Sequence, residues 1–217
     1  MRLLALDTAG PVAGVALWSD GLVGQRVERV TRGAETRLVP WANELCALGG
    51  FALADLDGVA VAVGPGAFTG LRVGLAAALG LATALELPVW AGGSLASRAL
   101  RLGTDERVWV ALDARKQRVY AALYAGSQCI EAPADRPPTE ALNGMATPFV
   151  ATGEGAVVYR ELVEAAGGRL AEEADHPAVD TLARLGAEGL ARGEGVGVSE
   201  VHPVYLREAD AKRPTAR

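Results

Sequence analysis

Leu4-Ala5-Leu6-Asp7 and Val110-Ala111-Leu112-Asp113 are the two stretches on which the fold turns. Each is a short, unbroken apolar run that ends on an aspartate beside a change of chain direction, the pattern of a buried strand delivering a carboxylate to the end of a sheet. With the two aspartates superposed, Val15 and Leu17 fall opposite Ala121 and Leu123 with the same inward alternation. A second pair of segments follows in the same order. Val61-Ala62-Val63-Gly64-Pro65-Gly66-Ala67 lies over Val150-Ala151-Thr152-Gly153-Glu154-Gly155-Ala156, each a strand opening through glycines into a helix. Two echoes in one order argue for an internal duplication.

The elements between them fill in. Strands over 12–18 and 22–30, joined by the turn Ser19-Asp20-Gly21, complete a three-stranded antiparallel meander with the first run. Leu38, Val39, Trp41, Ala42, Leu45 and Leu48 recur at helical spacing and predict a helix over 36–48, with Pro40 tolerated in its first turn. A strand over 59–63, a long helix from Phe68 to about residue 86, a short strand over 87–90 and a helix over 94–102 capped by Ser94 come next. Gly103-Thr104-Asp105 reads as a hinge between an N-terminal lobe, 1–103, and a C-terminal lobe, 104–217. Two meanders, each followed by alternating strands and helices, are the recipe for an α/β, duplicated ribonuclease H-like (actin-like ATPase, ASKHA) fold. Two lobes with mixed sheets and flanking helices then face one another across a cleft.

The composition narrows the function. Of 217 residues half are hydrophobic and 22% charged, which excludes disorder as the main state. A net charge of -5 argues against a phosphate-binding surface. The basic clusters at Arg115-Lys116-Gln117-Arg118 and at Arg207, Lys212, Arg213 and Arg217 read as solvated. Cys46 and Cys129 are isolated, Met1-Arg2-Leu3 opens no cleavable leader, and the apolar run over 73–85 falls short of the roughly 20 residues that span a bilayer. A cytoplasmic protein without a membrane partner is expected.

Asp7 and Asp113 sit where a strand's carboxyl end opens to a cleft, so that a carboxylate there can hold a hydrated cation against phosphate oxygens. Asp7, Thr8, Gly64, Gly66 and Asp113 are therefore the candidate nucleotide-cleft residues. Three features oppose that use. Asp7-Thr8-Ala9-Gly10 lacks Asp-x-Gly-Thr spacing, the turn after Asp113 has no glycine, and Glu154 puts a carboxylate where phosphates would pass. Gly64-Pro65-Gly66-Ala67-Phe68-Thr69-Gly70 is no Walker loop, and its glycines read first as a device for a sharp turn and close helix packing. His176 and His202 each precede proline and have no ligand at zinc spacing, so no metal, cofactor or catalytic residue is expected. In the helix that follows, Gly70, Gly74, Ala78 and Ala82 form a small-residue stripe, with Leu71, Leu75, Leu79 and Leu85 around it. Little of such a helix can face water, and a sheet on one side leaves a neighbouring helix or a partner protein for the other.

Met1 to Thr8-Ala9, Gly64 to Leu71-Arg72-Val73-Gly74, Leu112-Asp113-Ala114-Arg115 and Pro203-Val204-Tyr205-Leu206-Arg207 together resemble the ordered signatures of the TsaB (YeaZ) family. Gly-Pro-Gly-x-Phe-Thr-Gly with Leu-Arg-x-Gly behind it is the specific part. The resemblance implies a duplicated actin-like fold and a non-catalytic subunit of the machinery that forms N6-threonylcarbamoyladenosine at position 37 of tRNAs reading codons that begin with A. It implies binding to the catalytic paralogue TsaD, contact with the ATPase TsaE through that pair, tRNA reached indirectly, and a homodimer when free. By position, the interface with TsaD or self would take Leu38, Trp41, Leu45, Phe68, Leu71, Arg72, Gly74, Leu75, Ala78 and Ala82. One departure is that Arg32-Gly33-Ala34-Glu35-Thr36 lacks the histidine common before the first helix. The alternative is a stand-alone small-molecule kinase or ATPase using Asp7 and Asp113.

Overall fold

A computed structural model describes residues 1–30 and 32–207. Lys212, Arg213 and Arg217 lie outside the described residues. The first half carries β1 (Arg2–Asp7), β2 (Val12–Ser19), β3 (Leu22–Arg29), α1 (Leu38–Leu48), β4 (Gly58–Gly64), α2 (Phe68–Leu85), β5 (Val89–Gly93) and α3 (Ser94–Arg101). The second half repeats the order with β6 (Arg107–Asp113), β7 (Val119–Ala125), β8 (Gln128–Arg136), α4 (Pro138–Leu142), β9 (Phe149–Thr152), the short α5 (Glu154–Val158) and α6 (Arg160–Ala165), β10 (Gly168–Leu170) and α7 (Val179–Ala191). The sheets run β3-β2-β1-β4-β5 and β8-β7-β6-β9-β10, so strand order is duplicated along with element order.

β1 and β4 are buried on both faces, as their unbroken apolar runs require. The predicted helix over 36–48 begins at Leu38, because a single 3-10 turn, Ala34–Thr36, occupies the entry. Pro40 falls in its first turn, where the missing amide breaks no helical bond. Ser94 is corrected from a cap to the first residue of α3. β5 runs straight into the helix with Gly93 in the capping place, and the buried Ser94 hydroxyl has no hydrogen-bond partner.

The expected division at residue 103 separates the sheets but not the layers that cover them. α3, from the first half, packs on the second sheet: Leu95 and Ala99 join Val108, Val110, Leu112 and Tyr120 in a cluster that also takes in Ala9 and Leu71. α7, from the second half, packs on the first sheet, with Val179, Leu182 and Ala183 against Leu3, Ala5, Ala60 and Ala62. Behind it the chain adds Val201 to the first lobe's core and donates the Val204 amide to the Val63 carbonyl at 2.7 Å. Each lobe buries its sheet with a helix from the other half, so neither half closes its own core.

The second echo holds in topology and slips in register. Leu6 pairs with Val61, three residues before Gly64, whereas Val110 pairs with Thr152, the residue immediately before Gly153. Continued in register, the first glycine falls beyond Asp7 and the second falls short of Asp113. The neighbours agree: a Cβ on Gly66 would lie 2.6 Å from the Ala9 carbonyl, and one on Gly155 would lie 2.9 Å from the Leu112 carbonyl carbon. The shorter β9 thus draws its glycine loop back along the sheet, and Glu154 with it.

Candidate functional site

Between the lobes lies a cleft of about 860 Å³, lined by Thr8, Gly66, Thr69, Asp113 and Glu154 among others. Asp7 points away from it. Its carboxylate is fully buried, takes the Ala9 amide on Oδ1 at 2.8 Å, and takes Arg98 Nη1 on Oδ2 at 2.7 Å. The same Arg98 nitrogen reaches the Ser94 carbonyl at 2.7 Å, one helical turn back. A buried carboxylate needs a paired, hydrogen-bonded cation, and α3 supplies one from within the chain.

Asp113 is held differently. Its Oδ1 accepts the Arg115 amide at 2.9 Å, and the exposed Arg115 guanidinium lies 3.4 Å from Oδ2. The Asp113 amide donates to Glu154 Oε1 at 3.3 Å. Glu154 is buried beside Gly10, with Oε2 unpaired, and burial pushes its carboxyl up to about 7 despite the opposing charge of Arg98.

The glycine loop's near end is also occupied internally. The Ala67 amide donates to the Ala9 carbonyl at 2.7 Å, and Thr8 Oγ1 donates to the Gly70 carbonyl at 2.7 Å. A side chain on Gly74 would collide with Thr8 Oγ1, so the small-residue stripe exists to seat α2 on the β1–β2 turn.

That placement divides the expected interface residues into buried and exposed. Leu38, Trp41, Leu45, Leu71, Gly74, Leu75, Ala78 and Ala82 are buried in this chain's own packing. Phe68 and Arg72 are exposed. With Glu35, Val39, Val73, Ala76 and Ala77 they line a shallow, mainly apolar groove of about 460 Å³ between α1 and α2. The Arg72 guanidinium lies 3.7 Å over the Phe68 ring, the Tyr205 ring lies 5.0 Å from it, and Arg72 Nε donates to the Tyr205 hydroxyl at 3.1 Å. By length and composition alone α2 would pass as a membrane span, but its inner face packs on the sheet.

Residues 28–213 match the family model described as TsaD: tRNA N6-adenosine threonylcarbamoyltransferase. The Escherichia coli K12 tRNA threonylcarbamoyladenosine biosynthesis protein TsaB is 33% identical over 219 residues, covering 95% of each chain. The chain belongs to the TsaB (YeaZ) family. The solved YeaZ structure from Pseudomonas aeruginosa superposes with a TM-score of 0.79 at 32% identity, over 94% of this chain and 99% of that one. The ethanolamine utilization protein EutJ from Carboxydothermus hydrogenoformans, at 12% identity and a TM-score of 0.52 over 85% of this chain and 89% of that one, shares the actin-like fold.

Measured against that fold's usual nucleotide and metal ion, this TsaB-family cleft does not fit. Thr8, Gly66 and Asp113 line it, whereas Asp7 and Gly64 do not. Arg98 already neutralises Asp7, and Glu154 fills the space behind Asp113 with a second buried carboxyl. Arg98 was invisible as a site residue in the sequence, and Tyr205 stood out there only within the signature from Pro203 to Arg207. Arg98 sits in an ordinary helical segment 91 residues from Asp7, and only the crossing of α3 between the lobes joins them.

Proposed function

We propose that the chain serves in tRNA threonylcarbamoyladenosine biosynthesis as a non-catalytic subunit that docks on the TsaD homologue through the α1–α2 groove. The observation that carries this reading is the exposed Phe68–Arg72 tip of α2, an aromatic and a guanidinium beside an apolar groove, the residue types that anchor protein interfaces. The internal neutralisation of Asp7 supports a role without turnover of its own. In the free protein the same groove would be covered by a second copy, and the TsaE homologue and tRNA would be reached through the TsaD pair, all in the cytoplasm.

The test is size-exclusion chromatography with light scattering on the full chain, alone and mixed with the TsaD homologue of the same organism. A heteromeric species that replaces the free one, and that Phe68→Asp abolishes, is expected. Full complex formation by Phe68→Asp would move the docking face elsewhere, and no complex from the unmodified chain would overturn the role.

A further inference from the structure

Four consecutive residues near the end of the described chain touch both lobes. Val204 donates its amide to Val63 at the end of β4. Tyr205 stacks on Phe68 and accepts from Arg72 at the tip of α2. Leu206 packs against the cluster shared by α3 and the second sheet. Arg207 Nη2 donates to the Ala114 carbonyl at 2.6 Å, and its Nη1 lies 3.8 Å from Asp135 Oδ2. Asp135 also takes Arg118 Nε at 2.8 Å.

The turn that Arg207 grips is strained. Arg115, Lys116 and Gln117 all have left-handed backbones, with φ of 60°, 52° and 56°. Residues with a Cβ adopt that region reluctantly, and three in a row persist only when their surroundings hold them. The turn's own bonds are Ala114 amide to Arg118 carbonyl at 3.0 Å and Arg118 amide to Arg115 carbonyl at 3.1 Å. From outside the turn, Arg207 holds the Ala114 carbonyl and Asp135 holds the Arg118 guanidinium.

We propose that residues 204–207 are a strap that couples the α2 docking tip to the strained β6–β7 turn of the second lobe. The strap has little slack, since the two residues from Tyr205 to Arg207 span at most about 7 Å of chain. A partner seated on Phe68 and Arg72 meets Tyr205 in the same patch, so its docking reaches the turn through Arg207. Coupling of this kind requires only that the two ends share one element with two arrangements. The docking half rests on the function proposed above; the coupling within the free chain does not.

Hydrogen exchange of the Ala114 and Arg118 amides in the full chain reads the coupling without any partner. Phe68→Ala and Tyr205→Ala each speed exchange at these amides by about fivefold although neither residue touches the turn. Arg207→Ala speeds it directly, and Phe68→Ala adds nothing further in that background. Leu22→Ser, which removes another exposed apolar side chain, leaves it unchanged. Turn amides indifferent to Phe68→Ala and Tyr205→Ala would overturn the strap. In a second arm the purified TsaD homologue is added. Altered turn exchange in the unmodified chain, lost in Arg207→Ala with binding retained, supports transmission from the docking face. A complex that leaves the turn untouched overturns that transmission, whereas failure to form a complex counts against the docking reading and leaves the free-chain result standing.

Discussion

In the first lobe the helix behind the glycine loop runs unbroken from Phe68 to Leu85, whereas its counterpart in the second lobe stops at Val158 and restarts at Arg160. The strand ends differ in parallel. Asp7 is sealed in and paired with Arg98, while Asp113 stays near the cleft and is held by its own turn. Both lobes inherit one plan, yet the first devotes its long helix to an exposed groove and the second uses its short helices to lodge Glu154 between the lobes. A duplicated scaffold keeps its strand order because the sheet needs it, and is free to diverge at the strand ends, where packing demands less.

Arg98→Met should show the largest contrast. It leaves Asp7 buried without a counterion and is expected to cost about 3–5 kcal/mol in urea denaturation. Asp113→Asn, the matching change in the second lobe, should cost under about 1 kcal/mol. Similar losses would erase the distinction between the two aspartates.

Glu154→Gln sharpens the same point through pH. Because the folded carboxyl is raised from 4.5 to about 7, the unfolded chain releases the proton first. The native protein therefore loses stability as pH rises from about 4.5 through about 7, up to roughly 3 kcal/mol. The Gln variant should lack that slope, gaining on the native chain across this window and holding its advantage above it. Parallel pH profiles for the two proteins would mean that Glu154 is not the buried acid described.

Gly74→Val forces a branched side chain onto Thr8 and should cost about 1–3 kcal/mol by thermal or chemical unfolding. Phe68→Asp, one helix face away, should leave stability within about 0.5 kcal/mol while weakening binding of the TsaD homologue more than about tenfold. Val158→Asp, on the exposed side of the second lobe's short helix, should change neither. Titration calorimetry on the three variants separates the buried stripe of α2 from its exposed tip and the docking lobe from its twin.

Much of this was legible in the amino-acid order. The apolar runs before Asp7 and Asp113, the turn at Ser19-Asp20-Gly21 and the helical spacing from Leu38 to Leu48 each reflect a local rule, so the first half's element order and the duplication followed from the chain alone, and the family from the resemblance of its Gly64–Gly74 signature. What could not be read there was which face met what. The stripe of Gly74, Ala78 and Ala82 is compatible with a partner helix or with the chain's own sheet, because periodicity reports that a face is buried and not by what. Only the tertiary structure decided that α3 and α7 exchange lobes, that Arg98 reaches Asp7 and that β9 falls short enough to bury Glu154. These depend on strand length and long-range crossing, physical quantities that no local window of sequence contains.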